Sequence, residues 1–337
     1  MSGSEVAQPA KKGITGTGIK IIAIVTMLID HITAILLDNY YVLINTSNGS
    51  QSMNGITDTG LNTGDSSTRL LFLITILHMI GRLAFPLYIF LLVEGFQHTR
   101  SIRRYALNML IFALISQLPY NLAHGGLLEF QHLNIFATLL MGILCMWCIK
   151  VLGEDRTWSH KLNFLYYITA ILLGAYMMWL LLQNRSISLT MQATHEAKVV
   201  AYIVAGMIGL LIMIGVSRRL DADGKNRVTF TALPIMAFGV VSHLIKVEYG
   251  VYGVMAIVVM YLLRSSRVRG YVMTVATLTV FMLIEAAAFF SVPIVIRYNG
   301  KRGMKINKYF FYIFYPAHLL ILYVIALVLG FTTFRLY

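Results

Sequence analysis

Residues 18–37 read Gly-Ile-Lys-Ile-Ile-Ala-Ile-Val-Thr-Met-Leu-Ile-Asp-His-Ile-Thr-Ala-Ile-Leu-Leu. About 20 such residues cross the ~30 Å hydrocarbon core of a bilayer as one helix. The run nevertheless carries groups that membrane helices avoid: Lys20 near its start, and Asp30 and His31 beyond its middle. A charge at the centre of a membrane helix costs about 2.5–3.5 kcal/mol on insertion scales, so it is kept where it pairs or faces a wet cavity. Lys20 and His31 are eleven residues apart. At 100° and 1.5 Å per residue that spacing returns to within about 20° of one face, with a separation of about 16 Å. One helix face therefore holds a cation near the membrane surface and an imidazole deep within.

The rest of the chain shares this character. Its 337 residues are 58% hydrophobic and 12% charged, with mean hydropathy +0.74. The apolar residues fall in repeated runs of about 20, which a soluble domain does not show. They are continuous rather than alternating with period two, which argues against a β-barrel. The expected fold class is all-α, a polytopic transmembrane bundle of about ten spans. The net charge of +13 would suggest nucleic acid in a soluble chain. Here the Lys and Arg cluster in short connections, as topology signals do, and no nucleic-acid partner is expected. Residues 1–17 are polar and run straight into a full-length span, so no cleavable signal peptide is expected. The two cysteines, Cys145 and Cys148, lie in an apolar run without nearby partners and read as packing residues.

Polar breaks place candidate spans at 18–38, 70–96, 105–123, 133–152, 162–183, 198–217, 229–246, 249–264, 271–296 and 309–331. Together they make one transmembrane domain, 18–331, between a polar tail at 1–17 and a short tail at 332–337. Lys11, Lys12 and the basic segments 100–104, 154–161, 218–227 and 264–269 fall on one side by alternation. The positive-inside rule makes that side the cytoplasm and puts the N-terminus there, in the cytoplasmic (plasma) membrane. The 39–69 connection has no Lys or Arg before Arg69 and is expected to be an external loop, with sequons at Asn45 and Asn48. Segment 297–308 breaks the pattern: it is strongly basic, yet strict counting puts it outside. Either a preceding run is re-entrant or not a true span, or the charge rule is overridden there. The reading adopted is a cytoplasmic basic segment. No repeat of fixed period is evident, which disfavours repeat-built transporters.

Deep polar groups recur beyond the first span. Gly81-Arg-Leu-Ala-Phe-Pro86 puts Arg82 near mid-membrane, and Pro86 removes the hydrogen bond to the carbonyl of residue 82, so a bend is expected there. Asp30 lies at similar depth, and an Asp30–Arg82 ion pair is expected. Asp30 and His31 point about 100° apart on a straight helix, so a third group must orient His31 if it acts as a base. Glu94 and His98 share a face near the cytoplasmic end of their span. Gln117, Asn121 and Asn134 read first as interhelical hydrogen-bonding groups. His243 closes the seventh span, Glu285 lies in the ninth, and Tyr315-Pro316-Ala-His318 brings a second deep histidine after a proline. This many deep ionisable groups imply a polar cavity within the bundle, with Glu94, His98, Asn134, His243 and Tyr315 as candidate lining residues.

Motifs of soluble enzymes are missing: there is no phosphate-binding loop, HExxH, GxSxG or paired CxxC. His31, His243 and His318 show no ligand spacing, so no metal is expected. What remains is proton chemistry in a membrane cavity. A neutral imidazole can take a proton from an amine or hydroxyl as it attacks a carbonyl, a contribution of about 10²–10⁴ in rate. The same residues can serve a proton-coupled or lipid-linked transporter as a relay, or an assembly protein as structural glue.

The segments Met27–His31 with Lys20, Gly81–Pro86, Glu94–Thr99, Ser116–Pro119, Leu133–Ile135, Glu248–Gly253, Tyr298–Gly303 and Tyr312–Leu319 together resemble the TraX family, across residues 14–330. That family is named after the membrane protein that acetylates the N-terminus of F-type conjugative pilin. It is similar in outline to larger membrane acyltransferases that use cytosolic acetyl-CoA and carry an arginine and a histidine eleven residues apart. Here Lys20 and His31 hold that spacing, with lysine's point charge in place of arginine's fork. The resemblance implies an acetyltransferase that passes acetyl from acetyl-CoA across the membrane to an amine or hydroxyl acceptor, a pilin-like N-terminus, a glycan or a lipid. It implies His31 as general base, Asp30 and Arg82 shaping the site, and Arg82 or His318 stabilising the oxyanion. Lys20, Lys301, Arg302 and the backbone amides of the 298–303 loop would hold the CoA phosphates.

Overall fold

The computed structural model describes residues 13–47, 66–126, 132–154, 158–183 and 195–332. Among them the chain is helical, with no strand beyond one isolated bridge between Ile14 and Tyr298. The helices are α1 (Gly16–Ile32), α2 (Asp38–Ser47), α3 (Ser66–Gly81), α4 (Ala84–His98), α5 (Ile102–His124), α6 (Ile135–Cys148) and α7 (Phe164–Gln183). They continue as α8 (His195–Ser217), α9 (Ala222–Leu244), α10 (Gly250–Leu262), α11 (Arg267–Phe281), α12 (Val292–Ile296) and α13 (Lys308–Val328). In lipid every backbone polar group must be satisfied within the segment, which is why apolar runs of this length become helices. Eight helical segments among the described residues are long and apolar enough to cross a membrane. The protein is a multi-pass membrane protein.

The first span does not stop at 38. A five-residue π-helical stretch, Thr33–Leu37, joins α1 directly to α2, so helix runs on to Ser47. The apolar Tyr40–Ile44 stretch explains why the expected external loop begins later than residue 39. Asn45, the first sequon asparagine, is inside α2 and donates to the Tyr41 carbonyl. Asn48 lies outside the described residues. Between α3 and α4 the helix opens into a turn at Arg82 and Leu83, the bend that Pro86 imposes by withholding a donor.

The run 271–296 is not a span, and 249–264 forms only the 13-residue helix α10, so the expected ten become eight among the described residues. α11 ends at Phe281, Met282 takes an extended conformation (φ −140°, ψ 110°), and Leu283–Ser291 continues as a 3₁₀ helix. This second limb folds back on the first: the hydroxyls of Tyr271 and Ser291 hydrogen-bond, and the Arg267 guanidinium lies 5.3 Å from the centre of the Tyr298 ring. The chain that leaves at Arg267 thus returns beside it, as a re-entrant hairpin. Ala287 and Ala288, both buried, permit the close packing of the limbs. Basic segment 297–308 accordingly shares an end of the bundle with Arg267.

The N-terminus of α1 meets the same end. Thr15 caps Gly18, while the amides of Gly16 and Thr17 donate to the carbonyls of Lys301 and Arg302, at 2.9 Å each. The first-turn donors of α1 are therefore spent on the 297–304 loop. α13 then runs parallel to α1, since Lys20 sits over the Phe311 ring and, further along both helices, His31 meets His318.

Packing divides the chain into two units. One comprises Met1–Thr99, Leu110–Asn134 and Val259–Tyr337; the other comprises Arg100–Met109 and Ile135–Val258. In the second, α7 and α8 approach through Gly174, Gly206 and Gly209, where a Cβ would meet backbone of the facing helix, the small-residue contact usual between membrane helices. Cys145 is buried there and Cys148 half-buried, both as free thiols.

Candidate active site

In the first unit three helices bring histidines together. His31 Nδ1 lies 2.7 Å from His318 Nε2, and His318 Nδ1 lies 2.7 Å from the Phe314 carbonyl. A carbonyl only accepts, so His318 carries its proton on Nδ1 and offers the Nε2 lone pair. His31 must then donate from Nδ1. With its ring neutral, Nε2 of His31 is left as a lone pair, and it has no hydrogen-bond partner among the described residues. The third group that orients His31 is therefore His318, fixed by its own helix. Tyr315 packs edge-on to both rings, at 5.9 and 5.7 Å. His124 of α5 stands 6.4 Å from His31, its Nδ1 held by the Tyr120 carbonyl. His31 is 9% exposed and His318 5%, so bulk water does not compete for the pair.

Beside this cluster runs a string of charges. Arg82 reaches both oxygens of Asp30 at 3.3 Å and Glu285 Oε1 at 3.3 Å. The expected Asp30–Arg82 pair is thus one link of a longer chain. His78 puts Nδ1 at 2.9 Å from Asp30 and Nε2 at 3.0 Å from Asp38. A ring with a carboxylate oxygen on each nitrogen donates from both and is held as imidazolium. Gly81 makes this possible: a Cβ there would lie 2.4 Å from the Asp30 side chain. Glu285, on the returning limb of the hairpin, is 1% exposed, and its Oε2 has no partner among the described residues.

The family described as TraX protein matches this chain over residues 15–209 and 200–326. The chain belongs to the TraX family. Comparison with curated proteins and with solved structures returns no match.

Several other candidates lie within the TraX match but away from the histidines. Glu94 accepts from Arg267 Nε at 3.0 Å, and His98 Nδ1 bonds the Glu94 carbonyl, at the end that also holds Tyr298. Burial, with Glu94 beside it, pushes the Tyr298 hydroxyl pKa up. These residues tie α4 to the hairpin rather than pack around His31, because each is anchored about three turns or more from the Arg82 bend. Asn134 is fully buried and spent on Gln117 and the Ala113 carbonyl. His243 belongs to the second unit, packed edge-on against Trp179. Lys20 is half-buried over Phe311, and Lys301 and Arg302 are exposed. The Lys301 amide is taken by Asn299 Oδ1, leaving fewer loop amides for phosphate than expected. Among the described residues no group of His, Cys, Asp and Glu has the arrangement of a metal site.

Sequence reasoning passed over His78, His124 and Asp38. His78 is four residues before Arg82 and so shares its face, a spacing that could have flagged it. His124 and Asp38 carry no such signal, because their partners come from other segments.

Proposed function

We propose that the protein is a membrane-embedded acyltransferase of TraX type that transfers acetyl from cytosolic acetyl-CoA to an amine or hydroxyl acceptor. The observation that carries this reading is the free Nε2 of His31, held as a lone pair by the Phe314–His318–His31 hydrogen bonds. A positioned neutral imidazole is what a general base requires. Its orientation by a second imidazole follows the logic of catalytic triads on unrelated folds. In this account acetyl-CoA arrives at the end bearing Lys20, Lys301 and Arg302, taken as the cytoplasmic face from the positive-inside rule. His31 removes the acceptor proton as the new bond to the acetyl carbon forms and the thiolate leaves. Arg82, rather than His318, supplies positive charge near the oxyanion, since His318 Nε2 is occupied by His31. The acceptor is a pilin-like N-terminus, a glycan or a lipid. Purified protein incubated with labelled acetyl-CoA tests the reading. Binding, with CoA release on adding an amine or hydroxyl acceptor that is lost in folded His31→Ala protein, supports it; no binding, or unchanged acceptor-dependent release in that variant, defeats it.

One observation favours a second reading. Asp30, His78 and Asp38 form the kind of carboxylate–imidazole string that proton-coupled transporters use. Substrate movement across proteoliposomes without acetyl-CoA would support transport instead.

A further inference from the structure

The string Asp30–His78–Asp38 leads away from the donor end. From Gly16 to Asp38 the first helix advances about 33 Å, the thickness of the hydrocarbon core. Asp38, whose side chain is 42% accessible, therefore lies at the opposite interface, while Asp30 neighbours His31 in the interior. The π-helical stretch Thr33–Leu37 sits between them. On a plain α-helix eight residues would leave Asp30 and Asp38 about 80° apart. One extra residue per π turn reduces that to about 20°, so a single imidazole reaches both. Such insertions are frequent at functional sites. On its other side Asp30 meets only Arg82, which does not release its proton. The titratable route out of Asp30 among the described residues is thus through His78.

We infer that Asp30, His78 and Asp38 form a proton wire that carries the proton released by amine acylation to the membrane face opposite the acetyl donor. This rests on the acyltransferase reading and adds where its proton goes. The balance is R–NH₃⁺ plus CH₃CO–SCoA giving R–NH–COCH₃, HSCoA and one H⁺. The C–S bond breaks, the C–N bond forms and the thiolate is protonated. One proton is left at His31, and passes to Asp30, its neighbour in the chain. His78 gives its Nε2 proton to Asp38, which releases it at the surface; a half-turn of the ring then presents the bare Nε2 to Asp30, which reprotonates it, and leaves Nδ1–H facing Asp38. The groups facing His78 are Asp30 and Asp38, with Arg82 and Glu285 next beyond Asp30.

The test uses the full protein in liposomes holding a pH dye, with labelled acetyl-CoA and a short peptide with a free N-terminal amine added outside. Only molecules with the donor end outward meet acetyl-CoA, so orientation selects itself. CoA release and lumenal pH are read together. The wild type is expected to acidify the lumen in proportion to CoA released. His78→Gln and Asp38→Asn should lower acidification by about 10²-fold, and Asp38→Glu should restore it. Protein elution from detergent reports folding, and the wild-type proton count stands whether or not a variant folds. CoA release with the protons outside, or lumenal acidification unchanged in both folded variants, overturns the wire alone. No CoA release with the peptide overturns the wire as the path of amine-acylation protons; failure to bind labelled acetyl-CoA as well overturns the acyltransferase reading.

Discussion

At the scale of single residues the site depends on tautomers and on one missing side chain. His318→Ala removes the acceptor that keeps the His31 lone pair on Nε2. Turnover should fall by about 10²-fold or more, with acetyl-CoA binding retained by equilibrium dialysis. Gly81→Ala places a methyl group where Asp30 now lies; it should destabilise the protein by about 1–3 kcal/mol, seen as a lower unfolding midpoint in detergent. Arg82→Met leaves Glu285 buried without its cation and Asp30 with His78 alone, a change of about 3–5 kcal/mol. Adding Glu285→Gln should recover part of that in the same unfolding measurement. Asp30, His31 and Arg82 stood out in the sequence because charge is rare in apolar runs. His78 and His124 did not, since a histidine in a helix shows its role only through partners from distant segments.

At the scale of elements the apolar runs translated into helices almost throughout, because lipid leaves a backbone no other way to satisfy itself. The exception is 271–296, whose break at Met282 has neither proline nor glycine to announce it. The fold-back is decided by packing between the limbs, at Tyr271 with Ser291 and Arg267 with Tyr298. The only trace in the sequence was indirect: basic segment 297–308 fell on the wrong side by counting. Single cysteines at Ser265 and Asn299 should therefore react with an impermeant thiol reagent from the same face of sealed vesicles. Labelling from opposite faces would restore the run as a span. The π-helical stretch at 33–37 was equally silent, and it is what aligns Asp38 with Asp30.

At the scale of the molecule, membership of the TraX family and a multi-pass helical architecture were legible from motifs and composition, and the match over 15–209 and 200–326 agrees. The partition into two units was not, because runs of equal hydropathy give no sign of which helices pack together. The histidine cluster draws on α1, α5 and α13, segments far apart in sequence, so only the folded chain reveals that one histidine sets the protonation of another. In the proposed reaction His31 is the base that removes the acceptor proton as acetyl leaves CoA. This is tested by rapid-mix CoA release from acetyl-CoA in the presence of a peptide amine, by purified wild-type and His31→Gln proteins at equal donor occupancy. The variant should lose about 10²–10⁴-fold in rate with donor binding intact; equal rates in the two proteins would rule out His31 as the base.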